Sequence, residues 1–247
     1  YSTGVSSLIS IKDYLYFQTY VSNSAPIGVF GSMARASKTD LSNWTIVGNY
    51  ASTMATPIKA THIAIDKPNN KVYAFGGFGF TAYQNGGEVA TNVIQSASLS
   101  NPMEWKNETP VLPDNVAGGE IVRTRGMHYI IGGYSGANGR VYAANSTNLL
   151  SWSLLGTFTN APGAPRGKAC FIGDFLYYFG GETAIGTPVN TINKVGTIKY
   201  TGIDGLNYQY WMLNPATLPI PLARFNLIKA GAYIYILGGY TTSGAYN

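Results

Sequence analysis

Cys170 is the only cysteine in 247 residues, which excludes an internal disulfide framework and leaves an all-cysteine metal cluster without ligands. Histidine is nearly as scarce. With only His62 and His128, neither a three-ligand metal site nor a Ser, His, Asp triad assembles easily, so no metal, no cofactor and no catalytic residues are expected. Charged residues make up 11% of the chain, and the net charge of +5 is spread without a run of five or six basic residues. No nucleic-acid-binding tail is written here. No apolar run approaches the roughly 18 residues of a membrane span, so membrane insertion is not expected. The opening YSTGVSSLIS lacks the charged and apolar regions of a signal peptide. A first residue other than Met points to processing or to a fragment.

Glycine and tyrosine are abundant instead, at 30 and 19 residues, a β-rich and turn-rich composition. Much of both falls in one phrase. KVYAFGGFG returns as HYIIGGYSG, FLYYFGGET and YIYILGGYT, which aligns the pairs Gly76-Gly77, Gly132-Gly133, Gly180-Gly181 and Gly238-Gly239. Three residues before each pair stands Tyr73, Tyr129, Tyr177 or Tyr235. Upstream, IKDYLYFQTY sets Tyr16 in the same frame with Thr19-Tyr20 in the glycine slot, so five tyrosines stand 57, 56, 48 and 58 residues apart. All four tryptophans, Trp44, Trp105, Trp152 and Trp211, follow the first four slots.

One copy reads as four short strands. KACFIGDFLYYFGG is two apolar runs broken at Gly173-Asp174, a hairpin signal; NGRVYAANS is a third strand, and TNLLSW turns into a fourth, WSLLGTF. A lone four-stranded meander has two faces to bury, and radial stacking buries both. The expected fold is all-β, a β-propeller of five kelch-like four-stranded repeats forming one domain over 1-247. The repeat units are roughly 1-50, 51-112, 113-160, 161-217 and 218-247, the last blade being incomplete. The glycines suit strand ends where another backbone comes close. The tyrosines and all four tryptophans are expected to wedge between blades as structural residues.

A Gly-Gly pair closing the second strand, an aromatic in the third and a Trp near the fourth resemble a kelch-type repeat over nearly the whole chain. The first copy departs from it in having no glycine pair, and the Tyr142 to Trp152 separation is wider than usual. SKTDLSNW and STNLLSW also resemble the Asp-box turns of sialidase propellers, without their usual glycine; such turns are structural. The kelch resemblance implies further comparisons. Kelch-like copper oxidases need a cysteine beside a radical tyrosine and two histidines, a set this chain does not offer, whereas some kelch-type propellers are sialic acid mutarotases.

Propeller ligands usually lie on one face, among the loops before the first strand and between the second and third. The former loops offer Lys59, Glu120, Arg166 and Arg224, with both arginines fourteen residues before their glycine slots. Lys59 falls near the corresponding place, which makes a candidate basic ring; the alternative is that each arginine pairs with a carboxylate. The latter loops offer Phe78, Tyr134, Glu182 and Tyr240, and Tyr20 completes the set. Aromatic rings beside small hydroxyl residues suit stacking on sugars. Glu120 and Glu182, from adjacent blades, could instead serve as acid and base on a sugar.

The leading expectation is a non-enzymatic propeller that recognises a carbohydrate or cell-surface glycopolymer through anionic groups. Removal of both arginines is then expected to leave stability almost unchanged. In repeat style the chain is similar to kelch-like propellers of bacteriophage tail receptor-binding proteins, which implies other virion proteins as partners and an extracellular or virion-surface location. Two alternatives stand beside it: an enzyme on acidic sugars, of mutarotase or glycosidase type, and a protein-interaction scaffold. Glu120 or Glu182 lying with Arg166 and Arg224 would favour the enzyme.

Overall fold

A computed structural model describes residues 9–21, 30–49, 58–59, 62–80, 88–102, 104–133, 139–157, 162, 165–184, 187–199 and 204–245. Strands, turns and short irregular links make up these residues. The chain divides into two compact units, Tyr1–Ala117 and Gly118–Asn247.

In the first unit, Ile9–Ile11, Tyr14–Val21, Phe30–Ser37 and Asp40–Asn49 pair in chain order as one antiparallel sheet. His62–Asp66, Lys71–Phe75, Ile94–Ser98 and Lys106–Asn107 form a second. Asp66 accepts from the amide of Asn69 at 3.3 Å and from its side chain at 2.8 Å, which closes the tight turn between the first two strands of that sheet. Ile58–Lys59, Phe78–Phe80 and Glu88–Ala90 make a separate three-stranded sheet.

The second unit repeats the meander. Glu120–Arg123, Met127–Ile131, Arg140–Asn145 and Trp152–Thr157 form one sheet in chain order. Lys168–Ile172, Phe175–Phe179 and Ile192–Lys199 begin the next, whose fourth strand is split into Asp204–Leu206 and Met212–Leu213. Asn226–Ala230 and Tyr233–Leu237 then pair as a hairpin alone. Among the described residues, four full meanders and a two-stranded hairpin match the five tyrosine slots and four tryptophans.

The glycine pair has a steric reason. Gly76 and Gly180 both adopt φ of +57°, and a β-carbon on either would lie 2.2 Å from the Val116 carbonyl oxygen or 2.3 Å from that of Leu222. Only a residue without a side chain lets the next copy's backbone approach so closely. The second glycine uses that approach, since Gly77 and Gly181 donate to the same two carbonyls at 2.7 and 2.9 Å.

Side chains alternate along each strand, so each blade has a face bearing the repeat tyrosine and an opposite face. Ile11 and Tyr16 on the first sheet join Val72, Ala97 and Trp105 of the second in one buried core. Val122, Tyr129 and Ala143 join Leu176, Tyr178 and Val195 in another, where the Tyr129 hydroxyl accepts from the Leu206 amide at 3.1 Å. Trp105, Trp152 and Trp211 are buried. The indole N–H groups of Trp105 and Trp152 donate to the carbonyls three residues back, Pro102 and Leu149. Trp44 departs from expectation. It is 40% exposed, whereas the other three tryptophans are buried.

Candidate functional site

The position fourteen residues before the glycine slot starts the site. Gly118, Arg166 and Arg224 occupy it in three successive copies, with φ of 68°, 63° and 58°. Left-handed backbone is natural for glycine and strained for arginine, and such strain persists where the surroundings over-determine it. Here a backbone ladder does so: the Arg166 amide donates to the Gly118 carbonyl at 2.5 Å, and the Arg224 amide to the Arg166 carbonyl at 2.9 Å. The two arginines are thereby fixed at equivalent places.

Glu182 follows the glycine pair of the same copy as Arg166. Its amide donates to the Pro165 carbonyl at 2.9 Å, and its side chain is completely buried. Oε2 accepts from Arg166 Nη1 at 3.0 Å and Oε1 from Arg224 Nε at 2.7 Å. One carboxylate between two guanidiniums leaves one positive charge in excess. Arg224 also lies over the Tyr240 ring, 5.1 Å from its centroid, a cation–π contact. Tyr240 is held in turn by paired backbone bonds with Ala223. With Nε and the ring face committed, Arg224 Nη1 and Nη2 have no partner among the described residues.

Two residues further along the chain from Gly118 and Arg166, Lys168 Nζ donates to Glu120 Oε2 at 3.0 Å. These are again repeat-equivalent positions, the first residues of their strands. Burial raises the Glu120 pKa, and the Lys168 ammonium only partly opposes it. Tyr178, whose hydroxyl accepts from the Gly167 amide at 3.2 Å, is pushed strongly upward by burial and then by Glu120.

Arg166, Arg224, Glu182 and Tyr240 therefore come together, and the alternative that the arginines pair with a carboxylate is what the structure holds. Replacing both takes from the buried Glu182 the two guanidiniums that hold its oxygens, so a loss of stability is expected. Phe78 is a correction of another kind. At 3% exposure it is core rather than a stacking surface. Lys59 lies in the first unit with its backbone opposite Phe78, and Tyr20 lies in a strand opposite Gly31; neither side chain is among those described. Tyr134 lies outside the described residues.

The other groups weighed from sequence are structural. His62 Nδ1 lies 3.0 Å from the Phe75 carbonyl, and His128 Nδ1 lies 2.9 Å from Ser146 Oγ. Cys170 is half-buried, its thiol pKa raised by burial and only partly countered by Lys229. The Asp-box-like turns are closed from within, Asp40 accepting from the Ser42 amide and hydroxyl and from the Asn43 amide group. The sequence carries one further signal of this geometry. A glycine aligned with two arginines marks a left-handed position, and that geometry sets where the guanidiniums begin.

Four-stranded antiparallel blades with glycine-sealed strand ends make this chain a β-propeller. The solved structure titled "Structure of YjhT" is similar to it, with a TM-score of 0.68 and 16% sequence identity over 97% of this chain and 72% of that one. At that identity the likeness bears on the fold alone. No protein-family model and no curated protein sequence matches the chain.

Proposed function

We propose that this propeller is a binding protein for an anionic carbohydrate, a surface glycan or glycopolymer, with Arg224 as its recognising group. The observation that carries this reading is the state of that one side chain. Its Nε is held by the buried Glu182 and its face by Tyr240, while neither Nη group has a partner among the described residues. A guanidinium fixed in this way offers two parallel donors to a carboxylate or phosphate without further ordering. The side chain is 16% exposed, enough for its tip to meet a ligand and little enough to strengthen the contact.

A glycan array that includes teichoic acids, lipopolysaccharide fragments and uronic or sialic acid sugars tests the reading. The Arg224→Lys variant keeps a cation beside Glu182 and loses the fork. Its affinity for the anionic glycans bound by wild type should fall about tenfold or more, as loss of a charged hydrogen bond requires. Absence of any anionic glycan among the ligands, or equal binding by the variant, removes the proposal.

A second reading, an enzyme acting on acidic sugars, is favoured by Glu120. It is 21% exposed on its side chain, inclined by burial to hold a proton, and paired with Lys168, which suits a proton donor. The kelch resemblance, which extends to sialic acid mutarotases, points the same way. Anomer exchange or hydrolysis of an acidic sugar, followed by proton NMR and lost in Glu120→Gln, would establish it; unchanged rates in that variant would exclude Glu120.

A further inference from the structure

The formal charge is divided unequally between the two units. Tyr1–Ala117 carries seven Lys and Arg against seven Asp and Glu, and Gly118–Asn247 nine against four, so the whole excess of +5 belongs to the second. Two of those four carboxylates are already committed. Glu182 lies between Arg166 and Arg224, and Glu120 is paired with Lys168, at the end where the first strand of each copy begins. Most of the remaining cations gather where those strands finish.

Arg123 closes the strand Glu120–Arg123, and Arg125 sits in the turn that follows. Both are exposed, and neither has an ion pair among the described residues. In the next copy the corresponding turn, Gly173-Asp174, leads into Phe175, whose ring centroid lies 5.5 Å from Lys194 Nζ. In the hairpin Lys229 stands next to the end of its strand and reaches back to the Phe171 carbonyl, donating at 2.8 Å. A ring and a carbonyl hold these two ammoniums without cancelling their charge. Lys199 stands opposite Asp204 in register, which leaves Asp174 alone to offset Arg123, Arg125, Lys194 and Lys229.

We propose that this turn end of the second unit is a second anion-binding surface, which takes a flexible glycopolymer bearing an anionic group on each repeat. It stands apart from the Arg224 site, since Arg224 precedes the strand Asn226–Ala230 and Lys229 lies near its far end. Packed sheets lie about 10 Å apart, so cations on three successive copies are separated by more than the roughly 8 Å over which physiological salt screens a charge. They do not converge on one small anion. A chain charged at intervals meets each of them in turn and displaces the counterions of all. Nucleic acid bases would need open ring faces to stack on, and Phe175, the aromatic of the middle turn, is covered by Lys194.

Fluorescence anisotropy of a long labelled poly(glycerol phosphate), titrated with the whole chain at stepped salt, tests this. Arg123→Gln with Arg125→Gln and Lys229→Gln removes three charges from the surface. Lys12→Gln with Lys38→Gln and Lys67→Gln removes three from the first unit and serves as a charge-matched control. The surface variant should bind about tenfold or more weakly, and its slope of log affinity against log salt should be shallower by about two, as loss of three charge contacts requires. The control should stay within about twofold of wild type, since charges beyond the screening length contribute little. Free glycerol phosphate at equal phosphate concentration should not displace the polymer. Far-UV circular dichroism checks the fold; should the surface variant lose it, Arg123→Gln with Arg125→Gln alone repeats that arm. Absence of wild-type binding at low salt, equal losses in the two variants, displacement by glycerol phosphate, or tighter binding of an oligonucleotide of equal charge overturns the proposal. Undiminished binding by the surface variant overturns it too, and would assign the polymer to the Arg224 site.

Discussion

Two carboxylates in this protein each gather two cations, and they do so differently. In the first unit Glu108 Oε1 draws in Lys71 at 3.4 Å, Lys106 at 3.5 Å and the Ser96 hydroxyl at 2.5 Å. In the second unit Glu182 gives one oxygen to each of two arginines. The lysine side chains are 32% and 66% exposed, those of the arginines 13% and 16%. Lysine converges as a solvated point charge on a flexible stem, and all three donors share one oxygen. Arginine arrives as a planar fork from a fixed backbone, so what it does not give to the carboxylate remains aimed. The first arrangement fastens strand ends, and the second can present donors to a ligand.

The largest test of that contrast is removal of the carboxylate. Glu182→Ala leaves two nearly buried guanidiniums facing each other and should cost about 3–5 kcal/mol in urea unfolding. Glu108→Ala releases lysines that water can solvate, and should cost about 1 kcal/mol or less. Equal losses would mean that burial of the hub does not distinguish the two regions.

The fold was legible in the sequence because close backbone approach, as at Gly76 and Gly180, allows only glycine, and the glycine pair recurs in four of the five copies. Tyr73 and Tyr129 were legible for a related reason, as the ring fills the same gap each time. The site was legible only in part. Arg166 and Arg224 could be placed by their spacing, but Glu182 occupies a slot that other copies fill with Phe78 or Tyr240, so its burial between two arginines breaks the repeat. Trp44 holds the slot of Trp105 yet is 40% exposed, so the repeat position alone does not fix burial.

A second test asks whether the backbone sets the arginines. Gly180→Ala and Gly76→Ala face the same strain, at the same φ and nearly the same distance from a neighbouring carbonyl. Each should lose at least about 1–3 kcal/mol. Gly180→Ala should also disturb glycan binding, since Leu222, the residue it would push, lies two positions before Arg224. Gly76→Ala at matched stability should bind as wild type. If both variants bind alike, the ladder does not position the site.

The smallest effect is the dependence of stability on pH, where two carboxylates should act with opposite sign. Burial alone would raise the Glu108 pKa, but Ser96, Lys71 and Lys106 together outweigh it and hold it below the ordinary 4.5. The folded state then binds protons more weakly than the unfolded chain at this group. Its contribution is present above 4.5 and lost as pH falls through the lowered value. Glu120 is raised from 4.5 by burial despite Lys168, so its contribution is largest in acid and declines as pH rises from 4.5 through the raised folded value. Glu108→Gln should therefore flatten the acid limb of a stability–pH profile, and Glu120→Gln the decline above 4.5, each by about 1 kcal/mol or less. Chemical denaturation at stepped pH reads both limbs in one series. A Glu120→Gln profile parallel to wild type above pH 4.5 would mean that Lys168 compensates burial in full, leaving Glu120 without the proton that a donor role requires.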